Sequence, residues 1–298
     1  VKFMALGIDQ MQDALNKNMV DPFINILYKE SLKGLATFVD TYHDYSLALN
    51  YYPDYIDYCK DNIMYEDALW AIERQSNIKL LSGRYDEAMD DLYRAESIAR
   101  REKLKKKWLS INLYISEIYN IQGQSEIAIE LLNEIKNDIK LNHDDKNLVA
   151  SFHKILGNTY YSNGQIEKGL KEFKLALNEY DGILENVSSS FTKWIINGKI
   201  MDIKSKMMLT NIELDKDDIA KTILIEIEEI LNNESRIYFE YSISSPYEIA
   251  TFYKLNGDNN KYIEYLNTSY DEFLRIEDIL DAEDKKFFND IEVHKKIK

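Results

Sequence analysis

Cysteine occurs once in this chain, at position 59, so no intrachain disulfide can form. A fold without cross-links fits a reducing compartment, and the chain is read as cytoplasmic. Proline stands at only three positions and glycine at ten. So few breakers among abundant Leu, Ile, Lys, Glu and Ala favour long helices. No stretch approaches the roughly 18 apolar residues of a membrane span, and no signal-peptide pattern opens the chain. Phosphate loops, nucleophile elbows and paired cysteine clusters are all missing. His43, His143, His153 and His294 are scattered, with no pair at metal-ligand spacing. The expectation is a protein that is not an enzyme, with no catalytic residue, cofactor or metal.

Positive charge is also scarce. The formal net charge is −15, and a surface this acidic repels nucleic acid and anionic lipid. The basic run ARREKLKKK, at 99–107, reads as a solvated helix end whose cations suit the helix dipole. DKDD, at 215–218, has the acids of a calcium loop, but Ile219 and Ala220 stand where a ligand and a glycine are needed. It reads as helix capping by Asp217 or Asp218, and the pair Asp144 and Asp145 reads the same way.

What is present is a large apolar fraction, 45%, over 298 residues, with 22 tyrosines. That suffices for one extended domain or two compact ones. The apolar residues also repeat. Gly157, Tyr160, Gly164, Gly169, Phe173 and Ala176 have the spacing of Ser116, Tyr119, Gly123, Ala128, Leu132 and Ile135. Ser76, Gly83, Ala88, Leu92 and Ala95 precede them in phase, and Ala250, Tyr253, Gly257, Leu266 and Ser269 follow. Two weaker copies centre on His43 and Asp215. The loop positions His43, Gly83, Gly123, Gly164, Asp215 and Gly257 are 40, 40, 41, 51 and 42 residues apart.

Each copy reads as two helices. In the clearest, Leu156 and Tyr160 lie one turn apart, SNGQ turns the chain at Gly164, and Ile166, Leu170, Phe173, Leu177 and Tyr180 form one face of a second helix. Gly157 and Gly169 are expected where the two helices cross closely. The step of 51 implies an insertion near NVSSSFTKW, at 186–194.

The order Leu156, Gly157, Tyr160, then Gly169, Phe173, Ala176 resembles the tetratricopeptide repeat, and GRYDEAMDDLYRA at 83–95 resembles its second half. The first and fifth copies lack the loop glycine, Pro53 falls within a second helix, and Tyr262 replaces a small residue. The resemblance implies an all-α, right-handed superhelical solenoid of antiparallel helix pairs, about six units of roughly 40 residues. The period exceeds the family's 34, so the helices should be longer. The domain reading is an N-terminal helical cap at 1–27, the solenoid at 28–275 and a C-terminal capping or connector helix at 276–298.

In that family the first helix of each pair lines a concave ligand face. By phase, the resemblance then nominates Trp70, Asn77, Glu117, Asn120, Lys154, Asn158, Tyr161, Tyr247 and Lys254 as a ligand- or peptide-binding groove, with Glu73, Leu113 and Thr251 beside them. Asparagine amides suit a peptide backbone, with both donor and acceptor. Lys154 and Asn158 match the first pair of the carboxylate clamp in some members, but Ser205 and Leu209 follow in the next unit and leave it incomplete.

The implied function is protein or peptide binding. One reading is the sensory or scaffolding part of a bacterial signalling protein, with a diguanylate cyclase or histidine kinase output beyond this chain. The Val at position 1 and the charged helical end prompt it. The others are the ligand-binding region of a peptide-pheromone-responsive regulator, and a free-standing adaptor or chaperone-like protein. The partners expected are a protein or peptide, or the chain's own output domain or a second copy. No nucleic acid and no membrane span are expected.

Overall fold

The structure, a computed structural model, describes residues 22–41, 45–233 and 241–298. These residues form fourteen helices and no strand. In chain order they are α1 (Pro22–Thr41), α2 (Tyr45–Asp61), α3 (Tyr65–Leu81), α4 (Tyr85–Arg101), α5 (Lys105–Ile121), α6 (Ser125–Leu141) and α7 (Lys146–Ser162). There follow α8 (Ile166–Leu184), α9 (Ser190–Glu213), α10 (Asp217–Asn233), α11 (Ser244–Leu255), α12 (Asn259–Ile279), α13 (Ala282–Asp290) and α14 (Glu292–Ile297). The all-α expectation holds, and the repeat units are helix pairs: α3 with α4, α7 with α8, and α9 with α10 pack directly. The expected loop position His43 lies outside the described residues.

Helices α2 to α7 are each 17 residues long, which accounts for the long period. The turns that join them are built from backbone. At Gly83 the amide donates to the Leu80 carbonyl (3.1 Å) and the Arg84 amide to the Lys79 carbonyl (2.7 Å). This is a Schellman turn, whose C′ residue must adopt positive φ. The Arg84 carbonyl then accepts from Ala88 and opens the next helix. The same geometry recurs at Ile63 (φ 59°), Lys103 (59°), Gly123 (77°), Gly164 (71°), Asp215 (55°) and Gly257 (78°). Two turns between pairs, at Ile63 and Lys103, are therefore copies of turns within pairs, and these non-glycine residues conceal them in the sequence.

Close crossing explains Gly157 and Gly169. A Cβ on Gly157 would lie 2.6 Å from Phe173 Cδ1, and one on Gly169 would lie 3.0 Å from the Gly157 carbonyl oxygen. The step of 51 is not a looped insertion. The loop after α8 is five residues, while α8 has 19 residues and α9 has 24. The extra length is mostly helix.

The basic run spans a helix junction. Arg100 and Arg101 end α4, Lys103 takes the turn, and Lys105 to Lys107 open α5. Asp145 caps α7 by accepting from the Leu148 amide (3.2 Å), as expected. Asp217 and Asp218 lie in the first turn of α10, the favourable end of its dipole.

Two compact units divide the chain. The first holds the described residues up to Ile111 with Ile276–Ile291. Its core includes Leu32, Leu35, Tyr52, Tyr55, Leu69, Ile78 and Leu92. Helix α13 docks on this core: the Asp284 carboxylate forms an ion pair with Arg84, 2.7 Å from its Nε, and accepts a hydrogen bond from Ser46 Oγ (2.5 Å). The second unit holds Asn112–Arg275 with Glu292–Lys298, around Phe152, Phe173, Tyr180 and Phe273. His294 of α14 meets the Phe273 ring edge-on at 5.3 Å. The boundary expected at 27/28 falls inside α1, and that at 275/276 inside α12.

Candidate functional site

Helices α7, α9 and α11 are the first members of three successive pairs, the elements expected to carry ligand contacts. In the second unit, side chains from these helices and from Tyr241, just before α11, make a buried polar cluster. Lys154 Nζ on α7 donates to the Tyr241 hydroxyl at 3.0 Å and lies 3.6 Å from Asp202 Oδ2 on α9. Lys206, one turn along α9, places Nζ 2.5 Å from Asp202 Oδ1. Asp202 is 1% exposed, so its charge requires both partners. Burial alone would push its carboxyl up, but the two ammonium groups outweigh this and hold it below the usual carboxylate range. Burial would likewise lower Lys154, but Tyr241, Asp202, Glu117 and Tyr180 raise it well above 10.5. Both groups stay charged across neutral pH.

The same helices carry polar atoms sealed from solvent and without hydrogen-bond partners: Asn158 Oδ1 on α7, and Ser245 Oγ and Glu248 Oε2 on α11. Such atoms are rare in folded proteins, and each leaves a desolvation cost uncompensated. The Asn158 amide oxygen can only accept, and the Glu248 carboxylate does so once it is ionised. Burial, with Lys206 opposing and Asp202 adding, pushes the Glu248 carboxyl up to about 8. At the rim the Tyr161 hydroxyl donates to Glu213 Oε1 (2.5 Å), and burial followed by Glu213 raises its pKa. The cluster is thus a fixed set of charges with free acceptors beside it, which suits a ligand rich in N–H donors.

Of the residues that sequence nominated, Lys154, Asn158, Tyr161 and Glu117 belong to this cluster or act on it. Tyr247 is half-buried on α11, one residue before Glu248. Lys254 is exposed, its ammonium 5.3 Å from the Tyr262 ring centroid. Asn120 Oδ1 already accepts from Ser125 Oγ (2.8 Å) at the start of α6. Trp70 and Asn77 sit in the first unit. Trp70 meets Tyr52 and Tyr55 edge-on, each at 6.3 Å, and carries the Lys33 ammonium over its face. Asn77 is buried, and Glu73 is paired with Lys107 at 2.6 Å. Sequence reasoning missed Asp202, Lys206, Tyr241 and Glu248. The signal was there in MDIKSK, where Asp202 and Lys206 interrupt an apolar helix one turn apart. The clamp reading loses its cation, because Lys154 is committed to Asp202 and Tyr241.

Among the described residues no group of three or more His, Cys, Asp or Glu is placed to hold a metal, and no helix is long and apolar enough to cross a membrane. No protein-family model matches the chain, and no curated protein matches it in sequence. Solved structures do. A Rap protein complexed with competence and sporulation factor is 14% identical with TM-score 0.65, over 96% of this chain and 76% of that one. NprR in complex with its cognate peptide NprX is 15% identical with TM-score 0.62, over 93% and 78%. BtubC (BKLC) from P. vanneervenii is 16% identical with TM-score 0.58, over 77% and 90%. At these identities the likeness is one of fold, and with the paired helices and Schellman turns above, the chain has the tetratricopeptide-like helical-repeat fold.

Proposed function

We propose that the chain is a non-catalytic module that binds a peptide or an extended protein segment across α7, α9 and α11, and that it serves as the sensory part of a bacterial cytoplasmic signalling protein. The observation that carries this is the pair of solvent-sealed oxygens without partners, Asn158 Oδ1 and Glu248 Oε2, on the helices that also carry the Lys154, Asp202 and Lys206 ion triad. An extended polypeptide supplies backbone N–H donors at regular intervals, the complement of such a wall. Between the sensory readings, the ligand-binding region of a peptide-responsive regulator is favoured over a module feeding a cyclase or kinase. Two of the similar folds are of proteins crystallised with competence and sporulation factor or with a cognate peptide, and they align over nearly all of this chain.

Equilibrium dialysis against a pool of random synthetic hexapeptides, with retained species identified by mass spectrometry, tests the reading. A defined subset of hexapeptides is expected to be retained. Asn158→Ala then weakens binding about tenfold, the worth of one buried hydrogen bond. Asn120→Ala leaves it unchanged, because that amide serves Ser125. Retention of no hexapeptide, or indifference to Asn158→Ala, would overturn the proposal.

A further inference from the structure

Glu248 is a half-buried acid with one sealed and unused oxygen. Its Oε2 is sealed from solvent and has no hydrogen-bond partner. Lys206, the cation that acts on it, gives its ammonium to Asp202 at 2.5 Å. Asp202, also on α9, adds a like charge, and the Tyr161 hydroxyl on α7 feels the field of Glu248. An ionised Glu248 in the ligand-free protein would therefore be a second buried anion beside Asp202, with the nearby ammonium already shared.

We infer that ligand binding at this site is coupled to loss of the Glu248 proton: a ligand N–H donates to Oε2, the carboxyl ionises, and the proton leaves to solvent. The inference rests on the peptide-binding reading of the same site. A donor favours the ionised form because hydrogen bonds to a carboxylate are about twice as strong as those to a neutral acceptor. The raised carboxyl, titrating at about 8, keeps the ligand-free site protonated at neutral pH. Linkage then sets the sign: the bound state holds fewer protons, so affinity rises with pH, up to about tenfold per unit below about pH 8, and levels off above it.

The test uses the full chain and a hexapeptide retained from the random pool. Calorimetry at about pH 6.5, in two buffers of different ionisation enthalpy, counts protons released per peptide. Close to one proton is expected from the wild type and none from Glu248→Gln, whose amide keeps the shape and cannot ionise. Carboxyl-carbon NMR of the ligand-free protein is expected to show a side chain titrating near pH 8 that this variant lacks. A bound hexapeptide with no proton release, or with proton uptake, overturns the coupling and leaves the peptide reading standing. Titration of Glu248 in the ordinary carboxylate range overturns it too. A pool from which no hexapeptide is retained removes both.

Discussion

Ile63 occupies a backbone state that its side chain resists. It is β-branched, 73% exposed, and at φ 59° in a turn whose equivalents at 83, 123, 164 and 257 are glycine. A left-handed residue with a Cβ costs roughly 1–2 kcal/mol, and asparagine or aspartate pays less of it than a β-branched residue does. Ile63→Gly is therefore expected to raise stability by about 1 kcal/mol net of the added freedom in the unfolded chain. Asp215→Gly should gain less. Urea midpoints measure both, and a lowered midpoint for Ile63→Gly would refute the strain. The helix-crossing glycines predict the opposite sign. Phe173 is fully buried and cannot yield to a Cβ placed 2.6 Å from its ring. Gly157→Ala should cost about 1–3 kcal/mol. Gly34→Ala, with nothing within 4 Å on α1, should gain about 0.5–1 kcal/mol from helix propensity.

At the scale of elements, the Gly83 turn does more than join α3 to α4. A Cβ there would lie 2.6 Å from the Phe287 carbonyl oxygen of α13, whereas the same Cβ on Gly123 meets nothing. The two glycines have nearly equal φ, 83° and 77°, so backbone strain cancels between them. Gly83→Ala should destabilise by about 1–3 kcal/mol more than Gly123→Ala. It should also raise amide hydrogen exchange across residues 282–290, while Gly123→Ala leaves that helix protected. Equal exchange in the two variants would show that α13 does not depend on the open face of Gly83. This contact also marks the limit of what sequence showed. Loop glycines, small crossing residues and the apolar face of α8 were legible, because each is a local demand on backbone or packing. The Ser46, Arg84 and Asp284 contacts were not, because they join residues 200 and 238 positions apart and leave no periodic trace. The candidate site divides the same way. Phase found Lys154, Asn158 and Tyr161 on regular α7. It failed on α9, whose extra turns shift the register: phase put Ser205 and Leu209 at the clamp positions and passed over Asp202 and Lys206, which carry the charges. Phase also could not tell a free asparagine from Asn120, whose amide is already bonded.

Over the whole molecule the formal net charge is −15, and among the described residues few charged side chains are buried. They respond differently to pH. Asp202 is held low, so the stability it contributes is present above the ordinary carboxylate value and is lost only in acid. Lys154 is held high, so its contribution is complete at neutral pH and is lost only in strong base. Neither gives a slope near neutrality. Glu248 does. Its folded value of about 8 stands above the ordinary 4.5, so between those values the folded chain holds a proton that the unfolded chain has released. The free energy of unfolding then falls as pH rises through that window and levels off above it. Glu248→Gln removes this term, and the groups it acts on, Asp202 held low and Tyr161 held high, titrate outside this window, so the difference between variant and wild type isolates it. In urea denaturation the variant is expected to gain on the wild type steadily from about pH 5 to about pH 8, and to hold a constant lead beyond. A difference that does not change with pH would mean that Glu248 is ionised in the folded protein. The buried acceptor would then already carry its charge without a ligand, and a peptide donor would have no proton to displace.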